Sequence, residues 1–175
     1  MARLEFILAP DLAVVDLPPS FEDVPFFQGL SAGDRKRILT NFRVEDHRTG
    51  YVFFQQDQPA DRLYLLVSGF VEIRFKPYDG EALTVSVIEA GGVFGWSAAL
   101  GRSSYTSGAV CTGDGRCLSI RGHDLRRICE DHPATGVILL ERLAEVIAQR
   151  LTSTHDHVME LLRQGMRPGR EVRNQ

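Results

Sequence analysis

The chain has 175 residues, 43% of them hydrophobic and 25% charged, with a formal net charge of −3. This suits one globular domain and excludes a disordered chain or a broadly cationic nucleic-acid-binding surface. No stretch approaches the roughly 18 consecutive apolar residues of a bilayer-spanning helix.

The N-terminal 24 residues read as an extension. Glu5, Asp11 and Asp16 interrupt their apolar run, so no secretory signal is expected and the expected location is cytoplasmic. Phe26, Phe27 and Leu30 then supply apolar anchors ahead of a short helix. Ser31 is placed to cap that helix, with Asp34 at its third position in a capping-box-like arrangement.

A glycine-rich body follows: ten of the 16 glycines fall in residues 50–115. Tyr51–Phe54 reads as a strand. Arg62–Val67 and Phe70–Phe75 read as two strands joined through Ser68-Gly69, a two-residue hairpin connection. Val71, Ile73 and Phe75 alternate with Glu72 and Arg74, and Leu83, Val85 and Val87 alternate with Thr84 and Ser86, the period-two pattern of half-buried strands. Val93-Phe94, Thr106–Cys111 and Arg116–Ile120 complete seven or eight short strands. Glycine turns at this spacing predict an antiparallel barrel or jelly roll.

Leu125–Cys129 reads as a short helix ended by His132-Pro133, and a long helix is predicted over 134–164. Val137, Leu140, Ala144, Ile147, Leu151, Thr154, Val158 and Leu161 recur alternately three and four residues apart, an a/d seam. Over 28 residues such a helix runs roughly 42 Å. Leu139, Leu143 and Val146 form a second stripe beside the seam. One stripe is expected to face the barrel and the other a second copy of the chain, giving a homodimer.

In their order and spacing these segments resemble the cyclic nucleotide-binding domains of the Crp/Fnr regulators and of protein kinase A regulatory subunits. The resemblance covers about residues 25–162. It rests on Phe26-Phe27-x-Gly29-Leu30-Ser31, Gly50-x-Val52-Phe53, the run Asp61–Val71, Gly91-Gly92-Val93-Phe94-Gly95, Asp114, Leu118, Ile120 and Arg150-Leu151. It implies a mainly β fold, a double-stranded β-helix or jelly-roll barrel flanked by short helices and a long C-terminal dimerisation helix.

It also implies a phosphate-binding cassette at Phe94, Gly95, Trp96, Ser97 and Ala98, where a helix N-terminus faces the cyclic phosphate. Two of the family's ligand contacts are replaced. The glutamate that accepts from the ribose 2′-hydroxyl is Trp96, and the arginine that pairs with the phosphate is Tyr105. An indole accepts no hydrogen bond and a phenol carries no charge at pH 7. Charge-assisted hydrogen bonds contribute about 1.5–3 kcal/mol each, so the two losses remove roughly two to four decades of affinity. In a third departure, Gln56 stands where the family usually has glycine before Asp57.

The cassette remains rich in hydroxyls, with Ser97, Ser103, Ser104, Tyr105, Thr106 and Ser107, and Arg102 lies nearby. The expected function is therefore a stand-alone regulatory or sensor domain for a small polar or anionic ligand other than cyclic AMP, signalling through its dimer helix. Thr154 corresponds to the position from which activator-type members read the purine across the dimer. The alternatives are a protein-interaction module with a non-functional pocket, or a weak cyclic AMP or cyclic GMP receptor using Arg102.

No catalytic constellation is present. Gly95-Trp96-Ser97-Ala98-Ala99 lacks the final glycine of a nucleophile elbow and stands in no βαβ context. No metal site is expected: Cys111, Cys117 and Cys129 lack ligand spacing, His155 and His157 point to different helix faces, and His47, His123 and His132 have no partner by spacing. The cysteines read as thiols in a reducing compartment. Residues 163–175 carry four arginines against one glutamate, a net +3 that leaves −6 elsewhere, and residues 165–175 read as a basic flexible tail. Thirteen residues are too few for a helix-turn-helix domain, so direct DNA binding is not expected.

Overall fold

A computed structural model describes residues 24–165, with side chains described to residue 152 apart from Arg150. The N-terminal extension to residue 23, the tail from residue 166, and the side chains of Thr154, Val158 and Leu161 lie outside the described residues. A single 3-10 turn at Pro25–Phe27 leads into helix α1 (Ala32–Leu39). The Ser31 side chain accepts from the Asp34 backbone N–H at 3.1 Å, so the expected cap forms.

The barrel is built on two strands of 14 residues each, β3 (Arg62–Phe75) and β6 (Gly108–Arg121), paired antiparallel along most of their length. One half of this ribbon is flanked by β1 (Arg43–His47) and β5 (Val93–Phe94). The other is flanked by β2 (Val52–Phe54) and β4 (Leu83–Ile88). The result is the antiparallel jelly roll that the glycine spacing predicts.

The strand count differs from the expectation. Ser68-Gly69 is a bulge inside β3, with register shifts between Leu66 and Val71, and the segments Thr106–Cys111 and Arg116–Ile120 belong largely to one strand, β6. The cause is a close approach of two backbones. Gly69 has φ +91°, and a Cβ on Gly115 would stand 2.1 Å from the Ser68 carbonyl oxygen. Glycine at both positions lets the strands bend together without separating.

Alternation along β3 sorts the core into two layers. Leu63 and Leu65 join Val93, Leu118 and Ile120 in a layer against the helices, filled by Phe26, Phe27, Leu30, Ile38, Leu125, Ile128, Leu139 and Leu143. Tyr64 and Leu66 face the other way, into the barrel, with Phe54, Val71, Ile73, Ile88, Phe94, Tyr105, Ala109 and Cys117. The β4 alternation is not an inward face: Leu83 and Val87 are exposed and Ile88 is buried.

Helix α3 (Gly122–Asp131) passes directly into α4 (Pro133–Gly165). Leu139 and Leu143 are buried under α4, and Val146 packs on the same layer. Among the seam residues, Val137, Leu140 and Leu151 are 55%, 52% and 67% exposed, whereas Ile147 packs on the helix-side core layer. Leu139, Leu143 and Val146 therefore face the core, and the seam faces outward at Val137, Leu140 and Leu151 but not at Ile147.

Candidate functional site

The cassette follows β5 directly. Gly95 adopts φ +75° and precedes the one-turn helix α2 (Trp96–Ala99). A Cβ at Gly95 would meet the Arg62 carbonyl oxygen at 2.7 Å and the rings of Tyr64 and Phe54 at 3.2 and 3.3 Å. Glycine is thus required both by the left-handed turn and by packing.

Tyr105 defines the site. Its side chain enters the barrel, where it is 4% exposed. The ring stacks on Phe54 with centroids 3.7 Å apart, and Tyr64 stacks on Phe94 at 5.0 Å beside them. The hydroxyl donates to the Arg62 carbonyl oxygen and accepts from the Arg62 backbone N–H, both at 2.8 Å. Both functions of the phenol are therefore spent on one strand residue. Burial pushes the Tyr105 phenol above the ordinary tyrosine range, which keeps it neutral. The Tyr105 backbone is pinned as well: its N–H donates to the Gln58 carbonyl and its carbonyl accepts from Asp57 N–H, each at 2.9 Å.

The other predicted site residues do not converge on one space. Phe94, Ser97 and Ala98 are buried, Ser107 is half-buried, and Arg102 and Thr106 are exposed. Arg102 reaches Ser97 through its backbone N–H, which donates to the Ser97 carbonyl at 2.9 Å. Trp96 packs on the helix-side core layer rather than with the barrel aromatics. Thr154 belongs to α4, and its side chain lies outside the described residues. Gln56 compensates for the missing glycine with two bonds across the turn. Its Nε2 donates to the Lys76 carbonyl at 3.2 Å, and its Oε1 accepts from the Lys76 N–H at 2.9 Å. The neighbouring Asp57 carries the positive φ, +67°.

Two arginines escape a linear reading of the cassette. Arg126 on α3 donates to the Ala98 carbonyl at 2.9 Å and so closes the end of α2. Arg62 supplies the backbone edge that Tyr105 satisfies, and its guanidinium donates to the Ser119 hydroxyl at 3.1 Å. Neither lies near the cassette in sequence, and only the strand and helix packing brings them there.

Residues 44–132 match the cyclic nucleotide-binding domain family. The chain belongs to that family. A CRP-like cAMP-activated global transcriptional regulator of Mycobacterium tuberculosis is 27% identical over 136 residues, 78% of this chain and 59% of that protein. The Thermus thermophilus catabolite activator protein superposes with a TM-score of 0.65 at 25% identity, covering 79% of this chain and 62% of that one. A solved chain of Geobacter metallireducens gives a TM-score of 0.64 at 32% identity, covering 72% and 91%. The chain thus spans about 59% of the length of that mycobacterial relative. None of its described helices is long and apolar enough to cross a membrane.

Proposed function

We propose that this chain is a non-enzymatic regulatory domain of cyclic nucleotide-binding fold whose nucleotide site is filled by its own aromatic side chains. It acts by pairing with a second copy through α4 and by holding a protein partner. The carrying observation is the doubly bonded, stacked Tyr105 at the position of the family's phosphate-binding arginine. A ligand phosphate there would meet a buried neutral phenol whose donor and acceptor are already engaged, and displacing it would forfeit two hydrogen bonds and a ring stack. A small anionic ligand held jointly by Ser97 and Arg102 has less support, because Ser97 is buried and Arg102 is exposed.

A melting screen with nucleotides and anionic metabolites, run in chelating buffer, tests this reading. No compound is expected to raise the melting temperature; a rise with a cyclic nucleotide contradicts it. Pairing is tested separately. The unmodified chain is expected to sediment as a dimer and Leu140→Glu as a folded monomer, since the substitution places a charge on an apolar seam. A monomeric unmodified chain contradicts pairing through α4.

A further inference from the structure

On the same half of the barrel as β5 and the cassette, β1 lies against β6 with Glu45 opposite Cys117 and His47 opposite Gly115. The side chains of Glu45, His47 and Cys117 meet there. One ligand atom from each, a carboxylate oxygen, an imidazole nitrogen and the thiol sulfur, lies within 4.8 Å of the other two. Cys117 is fully buried and the His47 side chain is 7% exposed. His47 Nε2 is a buried polar atom without a hydrogen-bond partner: Glu45 Oε2 stands 3.3 Å away but not in hydrogen-bond geometry. Such orphaned atoms are rare in folded proteins.

Second-layer contacts aim the carboxylate. Glu45 Oε1 accepts from the Ser119 hydroxyl, and Ser119 accepts from the Arg62 guanidinium at 3.1 Å. That leaves Oε2 turned toward His47, and a ligand carboxylate held by hydrogen bonds in this way is a recurrent feature of metal sites. The imidazole is gripped by Tyr51 and Phe53, with ring centroids 4.1 and 4.6 Å away. An open pocket of about 700 Å³, lined by Glu45, His47 and Tyr51 among others, reaches two of the three residues, while Cys117 is buried and does not line it.

We propose that Glu45, His47 and Cys117 form a binding site for a divalent transition-metal ion, Zn²⁺ being the best fit to one sulfur, one nitrogen and one oxygen ligand. Metal–ligand bonds of roughly 2.0–2.3 Å place ligand atoms roughly 3.5 Å apart, a spacing that His47 Nε2 and Glu45 Oε2 already have at 3.3 Å. The thiol proton passes to solvent as the sulfur coordinates. Three protein ligands leave one position open toward the pocket. Mg²⁺ and Ca²⁺, which take oxygen ligands, do not fit the sulfur.

Cobalt(II) titration of the full chain tests the site, because a cobalt–thiolate bond gives a charge-transfer absorption that oxygen and nitrogen ligands do not. The expected result is saturation at one Co²⁺ per chain, with the band lost in Cys117→Ser, kept in Cys129→Ser, and requiring at least tenfold more metal in His47→Gln. Should Cys117→Ser fail to fold, the Zn²⁺-induced rise in melting temperature decides, since at a fixed Zn²⁺ concentration it must shrink in both His47→Gln and Glu45→Gln. Absence of the band in the unmodified chain, its survival in folded Cys117→Ser, or a Zn²⁺ shift unchanged in His47→Gln overturns the proposal.

Discussion

Tyr105→Ala is expected to lose about 3–5 kcal/mol of folding stability, the range for removing a buried aromatic side chain. For a chain of this length that lowers the melting temperature by roughly 10 °C. The loss has two parts. The ring stacked on Phe54 leaves a cavity among Phe54, Tyr64 and Phe94, and the Arg62 N–H and carbonyl lose the phenol that bonds both. Tyr105→Phe separates the parts. It keeps the stack, deprives two backbone groups of the phenol, and is expected to cost about 1–3 kcal/mol. Urea unfolding of both variants checks the ordering. Equal stability of Tyr105→Phe and the unmodified chain would show that the hydroxyl bonds contribute nothing and that the phenol is not fully engaged.

Gly115→Ala is expected to be nearly as damaging although it adds one methyl group. The new Cβ would lie 2.1 Å from the Ser68 carbonyl oxygen and 3.0 Å from Gly69 Cα. Both are backbone atoms and neither can rotate away, so β3 and β6 must part at their bend. The expected cost is about 3 kcal/mol, visible in thermal unfolding. Gly50→Ala is the informative control, because a Cβ there meets nothing within 4 Å and only the φ of +89° opposes it. If Gly115→Ala unfolds at the same temperature as the unmodified chain, the close crossing of the two strands is not as described.

Local rules make much of this fold legible in the sequence. The capping pair Ser31 and Asp34 and the inward Val71 and Ile73 each depend on neighbours within one element and appear in the structure as the pattern implies. Phe75, the third member of that alternation, is instead exposed, and Ile147 leaves the outward stripe of α4 for the core. Strand β1 is hidden for a physical reason. Its face toward the barrel carries Glu45 and His47 while Val44 packs on the helix layer, so no apolar alternation marks it. Ser68-Gly69 looks like a turn because a left-handed glycine serves bulges and hairpins equally. The distinction comes from β6, whose residues lie more than 40 positions away.

The cassette divides along the same line. Trp96 and Tyr105 stand where the family resemblance implies a glutamate and an arginine, but the linear chain does not say where their side chains point. Tyr105 turns inward because Phe54 offers a stacking face and Arg62 an unpaired strand edge; Trp96 turns to the helices. The trio Glu45, His47 and Cys117 is equally invisible in the linear chain, since β1 and β6 are brought into register across some 70 residues.

Isothermal titration calorimetry with cyclic AMP and cyclic GMP at millimolar concentration tests the central claim, that the chain keeps the receptor fold with its nucleotide site closed by Tyr105. No saturable heat is expected from either nucleotide with the unmodified chain. Micromolar binding of either one would contradict the claim.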